Sequence, residues 1–185
     1  MKTFIKVLAC VSLVFFIFFV IFFINNPFAF ILDFTVVFGL LTYHLWMRLI
    51  VAAIINKVLK DKIDYRHSHF YLKHFEMRLY KILKVKKWKD KVPKYDEEDF
   101  DIRQHSWEEI AQATCHSEII HKICFVLSFL PLIFVAVYGG YLRTCLFVSI
   151  VAALCDLVYI IIQRYNRARI LRIIYLRKKR DSAKK

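Results

Sequence analysis

The chain has 185 residues, 59% of them hydrophobic, and a formal net charge of +14. A water-soluble domain of this length has no core large enough to bury so much apolar side chain, which excludes an ordinary soluble enzyme. The charge excess lies beside the apolar runs, where anionic headgroups attract it, and this points away from nucleic acid. Phe occurs 18 times and Gly three times, a profile of long helices in lipid rather than of turns and sheets. Five cysteines (Cys10, Cys115, Cys124, Cys145, Cys155) form no CxxC pair, and an odd count of this kind argues against a disulfide framework. They read as small buried apolar side chains.

The first apolar run, 4–24, is interrupted only by Lys6. A basic start resembles a signal peptide, but the run is too long for a typical apolar signal core and no small-x-small cleavage site follows. It is read as an uncleaved anchor helix, with a cleaved signal as the alternative. Asn25-Asn26-Pro27 predicts a tight turn, and a second span covers 28–55 with Asp33, His44 and Arg48 inside it. A third span covers 119–138 with Pro131 as a kink, Gly139-Gly140 breaks it, and a fourth covers 142–162. Each is long enough to cross about 30 Å of hydrocarbon, and in lipid an open chain satisfies its backbone only as helix.

Orientation follows from Lys and Arg. The cytoplasmic candidate segment between the second and third spans carries 15 Lys/Arg against 12 Asp/Glu (56–122), and the tail 163–185 carries 10 against one. The turns at 25–27 and 139–141 contain none. Both charged segments, and both termini, are therefore expected in the cytoplasm.

Within the central segment, Leu72, Phe75, Leu79, Ile82 and Leu83 fall at helical spacing, with Lys73, Arg78, Lys81, Lys84 and Lys87 on much of the remaining surface. This predicts a basic amphipathic helix in the headgroup plane, ended by Pro93. An acidic stretch follows (Asp96, Glu97, Glu98, Asp99, Asp101) and reads as a solvated loop. Ser106-Trp107-Glu108-Glu109 has capping-box spacing, so a helix should start there and run through Glu118 and His121 into the third span. The expected fold is all-α: one polytopic membrane domain of four transmembrane helices, with an amphipathic cytoplasmic helix between the second and third.

Glu118 and His121 stand three apart and share a helix face where that helix enters the bilayer. A carboxylate beside an imidazole fixes its tautomer and raises its basicity, as a general base acting on a hydroxyl requires. An interfacial Glu and His can equally be just solvated. The di-iron reading of ExxH needs a second such motif and further carboxylates, which are missing. Cys115, His116, His121 and Cys124 do not make a metal site either, because neighbours on a helix point about 100° apart. His44 and Arg48, four apart, share a face of the second span, and helix rise puts His44 about 16 Å from the cytoplasmic end. Ionisable groups at that depth are paired or functional. Arg48 can also snorkel, and Asp33 and Asp156 can pair within the bundle. In Gln163-Arg164-Tyr165-Asn166-Arg167 and Trp88-Lys89 the same residue types serve as interfacial anchors, or else as phosphate and oxyanion partners.

The string Phe75-Glu76…Tyr80…Val85-Lys86-Lys87-Trp88-Lys89-Asp90-Lys91-Val92-Pro93 resembles the E…Y…WKD-LP signature of the glycosyl-4,4'-diaponeurosporenoate acyltransferases. These small membrane enzymes esterify a sugar hydroxyl in staphyloxanthin-type carotenoid synthesis. Glu118-x-x-His121, then Gln163-Arg164-Tyr165-Asn166-Arg167, follow in the same order, and His44 also fits, so that the similarity covers about 42–171. The resemblance implies a bacterial cell-membrane enzyme that moves a fatty acyl group from a CoA or acyl-carrier-protein thioester to a hydroxyl of a glycosylated membrane lipid. His121, Glu118 and His44 would be catalytic. Arg164, Tyr165, Asn166, Arg167, Arg48, Glu76, Tyr80, Trp88 and Lys89 would contact substrate. No cofactor beyond the thioester co-substrate is implied. The basic helix would attract CoA phosphates or an acidic carrier, alongside anionic headgroups. The His-x4-Asp acyltransferase signature is absent, since no histidine has Asp five positions on. Two other classes stay open: a small lipid methyltransferase and a non-catalytic membrane subunit or scaffold.

Overall fold

The computed structural model describes residues 2–59, 63–93 and 100–183. Among the described residues seven α-helices follow in chain order: α1 Lys2–Asn25, α2 Ala29–Leu59, α3 His74–Ile82, α4 Val85–Trp88, α5 Trp107–Leu127, α6 Leu130–Tyr138 and α7 Leu142–Ser182. Single 3-10 turns occupy Ser68–Phe70 and Lys89–Lys91, and no strand occurs among the described residues. Four stretches are long and apolar enough to cross a membrane: Thr3–Asn25, Ala29–Leu59, Trp107–Tyr138 and Leu142–Ser182. The all-α, four-span architecture expected from sequence is thus present.

The kink expected at Pro131 is present as a break, and two further details differ from the sequence reading. The third span is two helices, α5 and α6, parted at Ser128 and Phe129. The basic tail is no separate segment, because 163–182 continues α7 without a break. At 41 residues this helix is about 60 Å long, twice the hydrocarbon thickness. The amphipathic segment is not one helix: Lys84 adopts φ 50° and ψ 39°, a left-handed conformation that separates α3 from α4. Of the expected acidic loop, residues 96–99 lie outside the described residues. Asp101 is described, and its carboxylate accepts the Arg103 N–H at 2.9 Å.

The chain forms two compact units, Met1–Ile54 with Lys122–Asp156, and Ile55–His121 with Leu157–Lys185. In the first, α1 and α2 pack through Phe rings: Phe15 on Phe38 at 5.1 Å and Phe19 on Phe34 at 5.2 Å between centroids. Gly39 permits this approach, since a Cβ there would stand 3.0 Å from the Phe16 ring. Pro131 explains the break in the third span. Lacking an N–H, it cannot bond the Leu127 carbonyl one turn back, and the Tyr43 hydroxyl donates to that carbonyl instead at 2.8 Å. Tyr43→Phe should therefore cost about 1–3 kcal/mol for a partly buried carbonyl left unpaired. The measurement is the unfolding midpoint in detergent, and an unchanged midpoint would show that the bond contributes nothing. Gly139 and Gly140 then turn the chain at φ 77° and 79°, where a side chain is strained.

In the second unit Ile110 and Ala111 of α5 bury against Ile170 and Ile174 of α7, with Tyr65, Phe100, Trp107 and Leu171 around them. The capping box forms as expected: the Ser106 N–H donates to Glu109 Oε2 at 2.7 Å, and the Glu109 N–H to Ser106 Oγ at 3.2 Å. On α3, Phe75 and Ile82 are 63% and 75% exposed, so much of the apolar face predicted for the headgroup plane lies open in the chain.

Candidate active site

Glu118 is fully buried, a position a carboxylate holds only when its charge is answered. Two arginines from one face of α7 answer it. Arg164 Nη1 donates to Glu118 Oε1 at 2.8 Å, and Arg167 Nη2 donates to Oε2. Arg164 also reaches α3, with Nε 2.8 Å from Glu76 Oε1 and Nη2 donating to Glu76 Oε2 at 2.9 Å. Both guanidinium groups then take up the carbonyls left unpaired around the 3-10 turn. Arg164 donates to the carbonyls of His69 and Tyr71, at 3.3 and 3.1 Å, and Arg167 Nε to that of Phe70 at 3.1 Å. The Arg167 guanidinium also lies over the Phe70 ring at 5.0 Å. Glu76 in turn accepts the Lys73 N–H at 2.7 Å, which caps the start of α3. One buried charge network thus ties α5, α7, α3 and the 69–71 turn together.

His121, one turn beyond Glu118, is half-buried. Its imidazole stacks on the Tyr159 ring with centroids 4.7 Å apart and 8° between planes. The Tyr159 hydroxyl donates to the Pro93 carbonyl at 3.0 Å, so the end of the WKD…P string is drawn to the side chain beneath His121. Tyr80 is buried and meets the Tyr165 ring edge-on at 6.2 Å. Burial pushes the Tyr80 phenol above its ordinary range, the Glu76 carboxylate adds to this, and Arg164 opposes it.

The sequence-predicted residues fall into distinct settings. Glu76, Tyr80, Glu118, His121, Arg164, Tyr165 and Arg167 are gathered in the second unit by the contacts above. Asn166 is half-buried and points away from the Arg164–Arg167 face, since it lies two residues from one and one from the other. Most donors of Arg164 and Arg167 serve carboxylates and carbonyls of the protein itself. Trp88 Nε1 donates to the Leu83 carbonyl at 2.9 Å, closing the end of α3, and Lys89 Nζ pairs with Asp90 at 2.6 Å. His44 and Arg48 belong to the first unit, where Arg48 Nη2 pairs with Asp156 Oδ2 at 2.5 Å. Arg48 is thus paired rather than snorkelling. Sequence reasoning missed Tyr159 altogether. Its position four residues before Gln163, one turn along the same face, was the available signal.

No curated protein and no solved structure matches the chain. A family model described as glycosyl-4,4'-diaponeurosporenoate acyltransferase matches residues 64–176, the stretch that contributes every residue of the charge network and of the His121–Tyr159–Pro93 contact. With more than half of its length matched and the matched motifs folded onto one another, the chain belongs to the glycosyl-4,4'-diaponeurosporenoate acyltransferase family.

Proposed function

We propose that the protein transfers a fatty acyl group from a CoA or carrier-protein thioester to a hydroxyl of a glycosylated membrane lipid. His121 removes the hydroxyl proton as the oxygen attacks the thioester carbonyl. The tetrahedral intermediate collapses to the ester and expels the thiolate, which takes the proton back from the imidazolium, so that atoms and charge balance. Glu118 has a positioning role here: with an arginine on each oxygen, it fixes the turn of α5 that carries His121. The Tyr159 ring holds the imidazole plane from below.

The observation that supports this reading best is that three separated strings of the family meet around one turn of α5: Arg164 and Arg167 on Glu118, and Pro93 on the Tyr159 ring that stacks against His121. Asn166 stands two turns from Tyr159 on the same side of α7, which suits contact with the polar arm of the donor. Tyr165 points to another side of α7 and packs on Tyr80. Exposed Arg78, Lys81, Lys84, Lys86 and Lys87 supply positive charge for donor phosphates, an acidic carrier or anionic headgroups.

The test is reconstitution of the purified protein into vesicles with a glycosylated lipid and either acyl-CoA or acyl carrier protein. Mass spectrometry should show an ester on the sugar and one free thiol per ester formed. Methylated lipid from S-adenosylmethionine, with no ester from either thioester, would overturn the proposal in favour of a methyltransferase.

A further inference from the structure

His44 is 4% exposed, yet neither of its ring nitrogens has a hydrogen-bond partner. Ser149 Oγ, fully buried, is also unpartnered. An imidazole always presents hydrogen-bonding capacity at both nitrogens, and burying it unmet is costly. Helix register places the two residues at one level of the first unit. Arg48 Nη2 donates to the Ala152 carbonyl at 3.0 Å, which places α2 against α7 at that level. One turn earlier on each helix come His44 and Ser149. One turn before those come Leu40 and Cys145, which line the same groove together with Tyr43, Pro131 and Phe134. The groove has a volume of about 220 Å³ and is almost wholly apolar. Its side chains belong to the first unit, as do His44 and Ser149.

The charge at this level is already balanced. Arg48 faces Asp156, which is 1% exposed, and its Nη1 donates to the His44 carbonyl at 2.8 Å. What remains unmet is neutral: an imidazole and a hydroxyl, each about one helical turn along the chain from residues that line an apolar groove. We propose that this is a binding site for a lipid chain carrying a neutral oxygen function, a hydroxyl or carbonyl, with the chain in the groove and the oxygen bonded to His44 and Ser149. It gives His44 a binding role in place of a catalytic one. It does not depend on the acyl-transfer reading, since it concerns other residues and is tested by binding alone.

The test uses the full chain in lipid nanodiscs and a long-chain alcohol bearing a photoactivatable diazirine, with labelled residues mapped by mass spectrometry. Labelling should fall at Leu40, Tyr43 and Phe134. Unlabelled alcohol of the same length should compete, whereas the matching alkane should not. His44→Leu and Ser149→Ala should each weaken competition by about tenfold, the loss of one hydrogen bond. Leu40→Trp should abolish labelling by filling the groove, and it serves if His44→Leu fails to fold. Equal competition by the alkane, stronger competition by the fatty carboxylate, or no labelling of the groove would each overturn the site. The last is the result expected if water alone occupies it.

Discussion

Alanine at His121 is expected to lower ester formation by about 100-fold or more while leaving the protein folded. The two effects separate because of what the ring contacts. Its stacking on Tyr159 is worth roughly 0.5–1.5 kcal/mol, a small part of a folded protein's stability. A lost general base costs about 10²–10⁴ in rate, or roughly 3–5 kcal/mol of barrier. His121→Phe sharpens the distinction, since it keeps a ring against Tyr159 and removes the proton acceptor. Both variants should reach wild-type unfolding midpoints, within the small cost of the stack, and both should be inactive. Wild-type turnover in either one would remove His121 from the chemistry.

Glu118→Ala should produce the largest loss of stability available by one substitution. It leaves Arg164 and Arg167, both buried, with Glu76 as the one carboxylate bonded to either of them among the described contacts. Removing one partner of a buried pair typically costs about 3–5 kcal/mol, because the remaining charge stays desolvated. The expected readout is a large fall in unfolding midpoint or loss of folded protein from the membrane fraction. Arg167→Met combined with Glu118→Leu should recover much of that loss, since neutralising both partners removes the stranded charge. Recovery of stability without recovery of transfer is the result expected of a positioning network. Should Glu118→Ala unfold at the wild-type midpoint, the network is no spine at all.

The residues most readable from sequence were those whose reasons are local. Ser106 and Glu109 close a capping box because both ends of it lie within one turn. Pro131 interrupts its helix because the missing N–H belongs to its own chemistry, although the Tyr43 hydroxyl that takes the freed carbonyl is 84 residues away in the chain. Lys84 was not readable: its left-handed backbone divides a segment whose apolar spacing is otherwise helical, and lysine carries no signal for that conformation. The acyltransferase resemblance named strings that the fold gathers in one unit, Glu76, Glu118, His121 and Arg164 among them. It could not tell which way Tyr165 and Asn166 face relative to the arginines, since a helix turns about 100° at each step.

Sequence by itself determined that the protein has four membrane-length helices and where its charge lies, because hydrocarbon thickness and backbone satisfaction admit no other use of such apolar runs. Only the tertiary structure decided what the buried charges do. A guanidinium can bind substrate phosphate or an internal carboxylate with the same five donors, and the choice rests on which acceptors the fold carries to it. Here the fold brings Glu76, Glu118 and the carbonyls of 69–71 to Arg164 and Arg167, segments far apart in the chain that no periodicity could have joined.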